Sequence, residues 1–194
     1  MIEEVDLRRF EALALPHVDA AYNLARWLTR NDQDAQDVVQ EAMLRAMRYF
    51  KGFRGDNARP WLLQIVRNAC FLWLKENRPA EVVALEDGSE GAYELVALDA
   101  DAPDAGALRN ADRSRINLAL AALPIVYREV LVLREIGDLS YKEIAHIADV
   151  RIGTVMSRLA RARHLMRQTL APAAPPAPAV LRAVGRSASS GAER

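Results

Sequence analysis

Apolar residues recur at helical spacing along most of the chain, and the breaks in that rhythm mark the ends of elements. Leu7, Phe10 and Leu13, then Val18, Ala21, Leu24 and Leu28, predict helix over residues 3 to 29 with a break near Pro16. Tyr22 and Trp27 add bulk to the same core face. Asn31 and Asp32 end the segment, and Asp34 is placed to cap a helix over 35 to 50. That helix has a broad inner face of Val38, Ala42, Arg45 and Tyr49 with Val39, Met43, Ala46 and Phe50. Its outer face carries Asp37, Gln40, Glu41, Leu44 and Arg48. Residues 51 to 59, KGFRGDNAR, read as a loop in which Gly52 and Gly55 allow positive φ. Pro60 fits the first turn of a helix over 61 to 78. That helix is expected to bury Leu62, Ile65, Val66 and Ala69, with Leu72 and Trp73 beside them. Trp61 and Trp73 read as packing residues.

The character changes at residue 79. From Ala80 to Asp112 the acids are Glu81, Glu86, Asp87, Glu90, Glu94, Asp99, Asp101, Asp104 and Asp112, and the single base is Arg109. With glycine, alanine and Pro103 between them, residues 79 to 112 read as a flexible acidic linker. A second helical unit begins at 113 with Ile116, Leu118, Leu120 and Leu123. Leu123-Pro124 opens a helix bearing Val126, Val130, Leu131, Leu133 and Ile136, which Gly137 is suited to end. After Leu170 the run APAAPPAPAVLRAVGRSASSGAER has the composition of a disordered tail.

Between Gly137 and that tail the pattern is sharpest. Ser140 and Glu143 form a capping box ahead of Ile144, Ala145 and Ala148. Asp149 to Gly153 make a turn, with Thr154 as the cap of the next helix. Beyond it Val155, Leu159, Ala162 and Met166 fall on one stripe. Met156, Ser157, Ala160, Arg161, His164 and Gln168 fall on the opposite one, flanked by Arg158, Arg163 and Arg167. No acid occurs from Arg151 to Gln168. A short capped helix, a tight turn and a longer arginine-rich helix is the layout of a helix-turn-helix, whose second helix enters the major groove. The bland alternative is an amphipathic helix with a solvated basic face, but such faces usually carry acids as well.

Composition narrows the classes. The 194 residues are 51% hydrophobic and 27% charged, with a net charge of zero, so any nucleic-acid binding must come from uneven charge placement. The single cysteine, Cys70, permits no intramolecular disulfide and reads as a small core residue in a protein of a reducing compartment. No apolar run approaches the ~20 residues of a membrane span, and the acidic start MIEEVDLRRF is unlike a secretory leader. His17, His146 and His164 lack metal-ligand spacing with any cysteine, so no metal and no cofactor are assigned. No cluster of His, Cys, Asp or Glu has the spacing of a catalytic site, so no enzyme activity is expected.

GTVMSRLARAR (153 to 163), preceded by LPIVYREVLVLREIGDLSYKEIA (123 to 145), closely resembles the second domain of bacterial sigma factors of the extracytoplasmic-function group. DAQDVVQEAMLRAMR (34 to 48) resembles the N-terminal signature of the same family. Arg151 stands where the family usually has a proline, and Glu76 and Asn77 interrupt a run that is commonly more basic. The resemblance implies an all-α chain in two small helical domains. Residues 1 to 78 would contact core polymerase and the −10 element. Residues 113 to 170 would read the −35 element, with linker 79 to 112 between and tail 171 to 194 after.

By the same resemblance, Asp37, Gln40, Glu41, Leu44 and Arg48 would dock on the largest subunit of RNA polymerase. From spacing alone that face is an ordinary solvated one. Phe53, Arg54, Asn57, Arg67 and Asn68 would capture a flipped base and support the melted −10 strand, which calls for a shaped pocket and for basic and aromatic contacts. Each of the five could equally be plain loop or helix surface. Thr154, Met156, Ser157, Arg158, Ala160, Arg161, Arg163 and His164 would contact the −35 element. The linker would thread polymerase near its template-strand and RNA channels, or serve only as a tether. The implied partners are core RNA polymerase, promoter DNA and a cognate anti-sigma factor, in the bacterial cytoplasm. A helix-turn-helix regulator with an N-terminal effector domain, and a helical enzyme, are the rival readings.

Overall fold

The computed structural model describes residues 4–79 and 107–171, and every regular element among them is helical. The first domain comprises α1 (Glu4–Ala14), a 3-10 turn (Leu15–His17), α2 (Val18–Thr29), α3 (Asp32–Tyr49), a second 3-10 turn (Phe50–Gly52) and α4 (Ala58–Asn77). The second comprises α5 (Ala107–Ala122), α6 (Ile125–Leu131) continuing as a π-helical turn (Val132–Ile136), α7 (Tyr141–Ala148) and α8 (Ile152–Leu170). The acidic segment 80 to 106 and the tail 172 to 194 lie outside the described residues.

Helices α2, α3 and α4 pack on one another, and α1 crosses α4. In the second domain α8 is packed by α5, α6 and α7. The domains meet where α4 lies on α7 and α2 lies on α6, so their buried side chains form one continuous cluster. Leu63 of α4 is buried at this seam and lines a small cleft with Leu24, Val132 and Leu133.

Element ends differ from the sequence expectation where a neighbouring side chain caps better. The expected cap of α3 was Asp34. Instead Asn31 accepts the N–H groups of Gln33 at 2.8 Å and Asp34 at 3.0 Å. Asp32 and Asp34 then lie in the first turn, where carboxylates suit the positive end of the helix dipole. Arg30 ends α2 in the left-handed region, with φ 58°. Likewise Asn57 accepts the N–H of Arg59 at 3.1 Å, so α4 starts at Ala58 rather than 61. Helix α5 begins at Ala107, inside the segment assigned to the linker. Alanine, leucine and arginine are strong helix formers, and the acidic bias of the stretch hid them. The chain turns as α3 ends, which leaves Tyr49 exposed and puts Phe50 in the core place expected for it. Leu72 is also exposed rather than buried.

Gly137 ends the π turn, but not in the left-handed conformation expected of a helix-ending glycine. Its φ is −83° and its N–H donates to the Val132 carbonyl at 2.9 Å. The requirement for glycine is steric, since a Cβ there would lie 2.7 Å from the Leu133 carbonyl oxygen. The left-handed position falls on Asp138, with φ 47°.

Arg128 holds the seam. It is 2% exposed, on α6, and its guanidinium donates to the carbonyls of Leu120 (3.2 Å), Ala121 (2.9 Å) and Leu123 (2.7 Å) at the end of α5. It also reaches Trp27 (3.3 Å) and Leu28 (3.5 Å) at the end of α2. Terminal carbonyls of a helix have no intrahelical partner, and a cation suits the negative end of the dipole. The planar fork of arginine can serve several such acceptors at once.

Arg128→Met keeps the stem and removes every donor. We expect a loss of stability on the order of 3 kcal/mol, from buried carbonyls left unsatisfied. Arg128→Lys should recover only part of it, because a compact ammonium cannot span both helix ends. Urea unfolding of the three proteins measures this, and superimposable curves for wild type and Arg128→Met would refute it.

Candidate nucleic-acid and polymerase interfaces

The helix-turn-helix forms as its local chemistry requires. Ser140 Oγ accepts the Glu143 N–H at 3.3 Å, and the Glu143 carboxylate accepts the Ser140 N–H at 2.8 Å. The Ser140 hydroxyl also donates to that carboxylate at 2.7 Å, and this bond, with the one from the Ser140 N–H, favours the charged form and lowers the Glu143 pKa. Asp149 closes α7 in the left-handed region, with φ 54°. The cap of α8 is Arg151, acting through its extended backbone and without a side-chain bond. Thr154, expected as the cap, lies within the first turn and is half-buried; its carbonyl accepts the Ser157 hydroxyl at 3.0 Å.

Val155, Leu159 and Ala162 are buried, joined by Leu165, with Met166 half-buried. Met156, Ser157, Ala160, Arg161 and His164 are exposed on the other side. Of the three flanking arginines, Arg167 is exposed, and the other two differ from one another. Arg163 is exposed and pairs with Glu135 of the π turn at 2.7 Å. Arg158 is half-buried and near enough to Glu129 that its charge acts on that carboxyl. Ile152, outside the expected helix, is 42% exposed in the first turn beside Met156, which is 55% exposed. Period alone could have found it, because Ile152, Met156 and Ala160 are spaced by four.

On α3, Asp37, Gln40, Glu41, Leu44 and Arg48 all face solvent, and Leu44 is 47% exposed. Glu41 pairs with Arg45 at 2.8 Å, and Asp37 accepts from Gln33 at 3.4 Å. Beside this face runs a groove lined by Val38, Ala69, Leu72 and Trp73 and rimmed by Glu41 and Glu76. Leu72 therefore extends the surface to which Asp37 and Glu41 belong.

The five residues expected at the −10 element are not brought together. Phe53 is half-buried, with its ring 5.9 Å from Phe50 and 4.9 Å from Trp61, so it packs within the domain. Arg54 is exposed and donates to the Lys51 carbonyl at 2.7 Å. Asn57 is the α4 cap. Asn68 is exposed, and its Oδ1 accepts from Arg67 Nη1 at 3.3 Å. Arg67 itself lies in the seam. Its side chain is 18% exposed, its Nε donates to Glu129 Oε1 at 2.7 Å, and its guanidinium covers Phe71 at 4.0 Å. In this packing Asn68 faces solvent, whereas Arg67 is turned into the seam by a buried carboxyl on the other domain.

Glu129 is fully buried, and its Oε2 has no hydrogen-bond partner among the described residues. Burial raises its pKa, and the Arg67 guanidinium opposes the shift. Burial and the nearby Glu129 charge also push up the Cys70 thiol, one turn along α4, so it is unreactive in this packing. Further polar contacts cross the seam, among them that of Arg30 Nη1, which donates to the Ala121 carbonyl at 3.4 Å. Arg59 Nη2 donates to the Gly137 carbonyl at 2.6 Å, and Gln64 Nε2 donates to the His146 carbonyl at 3.0 Å.

Among the described residues no group of three or more His, Cys, Asp or Glu is placed to hold a metal ion, and no helix is long and apolar enough to cross a membrane.

Two family models match the chain, one described as Sigma-70 region 2 over residues 13–79 and one as Sigma-70, region 4 over residues 113–166. The RNA polymerase sigma-H factor of Pseudomonas aeruginosa is 34% identical over 177 residues, covering 88% of this chain and 91% of that protein. The ECF RNA polymerase sigma-E factor of Escherichia coli K12 is 36% identical over 147 residues, covering 72% and 75%. Among solved structures, the sigma factor RpoE, co-crystallised with the anti-sigma factor NepR from Bartonella quintana, superposes with a TM-score of 0.62 at 26% identity. That match covers 84% of this chain and 97% of the other.

The Glu129 carboxyl gives the seam a pH dependence. Its folded pKa lies above the ordinary 4.5, so the folded state holds the proton more tightly than the unfolded one. Its contribution is complete below about pH 4.5 and is lost as pH rises through the higher folded value. Glu129→Gln does not titrate. We therefore expect its stability relative to wild type to improve between pH 5 and pH 8. Parallel urea midpoints for the two proteins across that range would contradict the assignment.

Proposed function

This chain belongs to the extracytoplasmic-function group of the sigma-70 family, and from that membership we propose how its residues divide the work of directing core RNA polymerase to promoters. The outer face of α3 and the adjoining groove hold polymerase. Arg54, Asn57 and Asn68 serve the −10 element, and α8 reads the −35 element. The observation that carries this reading is the acid-free face of α8, exposed directly opposite its buried stripe. The protein acts as an initiation subunit rather than as a catalyst, and it works in the bacterial cytoplasm with polymerase. A cognate anti-sigma factor is a further partner, supported by the likeness to a sigma factor crystallised with one.

Distance sets a requirement on this reading. The −10 and −35 elements are about 25 base pairs apart, or ~85 Å at 3.4 Å per pair. Two domains sharing a packed seam cannot span that length, so promoter binding requires the seam to open. The segment 80 to 106 is about 27 residues long and reaches ~90 Å if fully extended, which suffices. Opening also releases Arg67 from Glu129, and only then can Arg67 join Asn68 at the melted strand. The acidic segment acts beyond its length in this proposal, following the polymerase channels that otherwise hold nucleic acid.

Asp37, Glu41 and Leu44 changed together to alanine should weaken retention on immobilised core polymerase. Folding should be nearly intact, since exposed substitutions usually cost within about 0.5 kcal/mol. Undiminished retention of the triple variant would remove α3 from the polymerase interface.

For α8, an arginine meeting guanine in the major groove is worth about 1–3 kcal/mol of discrimination, whereas a phosphate contact adds affinity without sequence information. Arg161→Ala should relax preference within the −35 element. Arg163→Ala should lower affinity about equally for all sequences and flatten the salt slope by roughly 1, less whatever Glu135 already withholds. Holoenzyme selection from a randomised −35 library distinguishes the two roles. An unchanged preferred sequence for Arg161→Ala would exclude that residue from base reading.

A further inference from the structure

Ile152, Met156 and Ala160 form an exposed apolar strip along the N-terminal half of α8, on the side facing away from the domain core. Spacing by four places them about 6 Å apart along the axis and on one face. Exposure of two large apolar side chains gains nothing in the free protein. Three side chains are also far too few for a stable protein interface, which needs about 800 Å² from each partner. The surroundings favour a different occupant. Arg163 and His164 follow Ala160 at i+3 and i+4, Arg163 is paired with Glu135 of the π turn, and α8 itself carries no acid from Arg151 to Gln168. The strip is therefore apolar within a basic frame, complementary to a surface that is anionic outside and apolar at points within.

The major groove is such a surface. Its base edges carry donors and acceptors, and its one apolar group is the 5-methyl of thymine. Isoleucine and alanine side chains neither donate nor accept hydrogen bonds, and a methionine thioether accepts only weakly. Such residues cannot distinguish guanine, cytosine or adenine by hydrogen bonding. They can distinguish thymine by contact with its methyl group. We infer that the Ile152–Met156–Ala160 strip reads thymine methyl groups in the −35 element, beside the polar reading by Arg161. This rests on the proposal that α8 is the −35 reader and adds which feature of the DNA it recognises.

The test replaces thymine by deoxyuridine, which keeps the hydrogen-bonding edge and removes only the methyl. A preferred −35 element is first selected with wild-type holoenzyme from a randomised library carrying a constant −10 region. Each thymine of the −35 segment, on either strand, is then replaced singly by deoxyuridine. Wild type is expected to lose about fourfold in affinity at one or two positions, the worth of burying one methyl carbon. Met156→Gln keeps the side-chain length and makes its end polar. It should lose both the thymine preference and the sensitivity to deoxyuridine at one of those positions. Equal binding of thymine and deoxyuridine at every −35 position would overturn the inference and leave the −35 reading of α8 intact. Failure of wild-type holoenzyme to select any −35 sequence would overturn both. If Met156→Gln retains the full deoxyuridine sensitivity and instead impairs holoenzyme assembly, the strip is a protein contact and the inference is wrong.

Discussion

The buried Arg128 guanidinium is the constraint from which the arrangement of the molecule follows. It collects carbonyls from the ends of two helices in different domains, α5 and α2. Those carbonyls cannot be satisfied within their own helices, and burying them without a donor would be costly. A single residue thus orders the α5–α6 turn and fastens it to the first domain. Its neighbour Glu129 uses the same buried position to draw Arg67 across the seam. Two adjacent side chains of α6, one cationic and one acidic, thereby join the domains through polar contacts set among apolar ones.

A seam of this kind suits the separation of the domains proposed for promoter binding. Purely apolar contact would stabilise the closed form without any residue able to find other partners on opening. The polar groups here can exchange partners. Released carbonyls return to water, and released arginines return to water or to phosphate. Glu129 keeps one carboxyl oxygen without a hydrogen-bond partner among the described residues, and burial pushes its carboxyl towards the neutral form. Arg67 is the residue on which the closed packing and the proposed open state would compete most directly, since it is paired with Glu129 in the seam.

The faces assigned to polymerase and to the −35 element lie outside the seam. Both are helix surfaces opposite buried stripes, so closing the domains leaves them accessible. The packed form could therefore meet polymerase through α3 before the domains part. In the proposed division of work, closure forbids reading both promoter elements together, and the reason is distance.

Much of this was legible in the sequence, and the reason is local. Helical period, the Ser140–Glu143 box and the lack of acids on α8 depend on residues within a turn or two of each other. They specified the helices, the helix-turn-helix and the exposed residues of α3 and α8. Cap choices were legible only in part, because Asn31 competes with Asp34 on fine geometry and Arg151 caps through its backbone alone. Family resemblance pointed to the −10 residues by position, but their surroundings are decided elsewhere. Phe53 turns inward because Phe50 and Trp61, eight or fewer residues away, offer it a ring cluster. Arg67 turns inward because Glu129 lies across a seam that no periodicity encodes. The sequence by itself determined which stretches are helical and which faces are apolar, since backbone propensity and amphipathic spacing act at short range. Only the tertiary structure decided which charged side chains face solvent and which pair between domains, because that depends on burial created by residues distant in the chain.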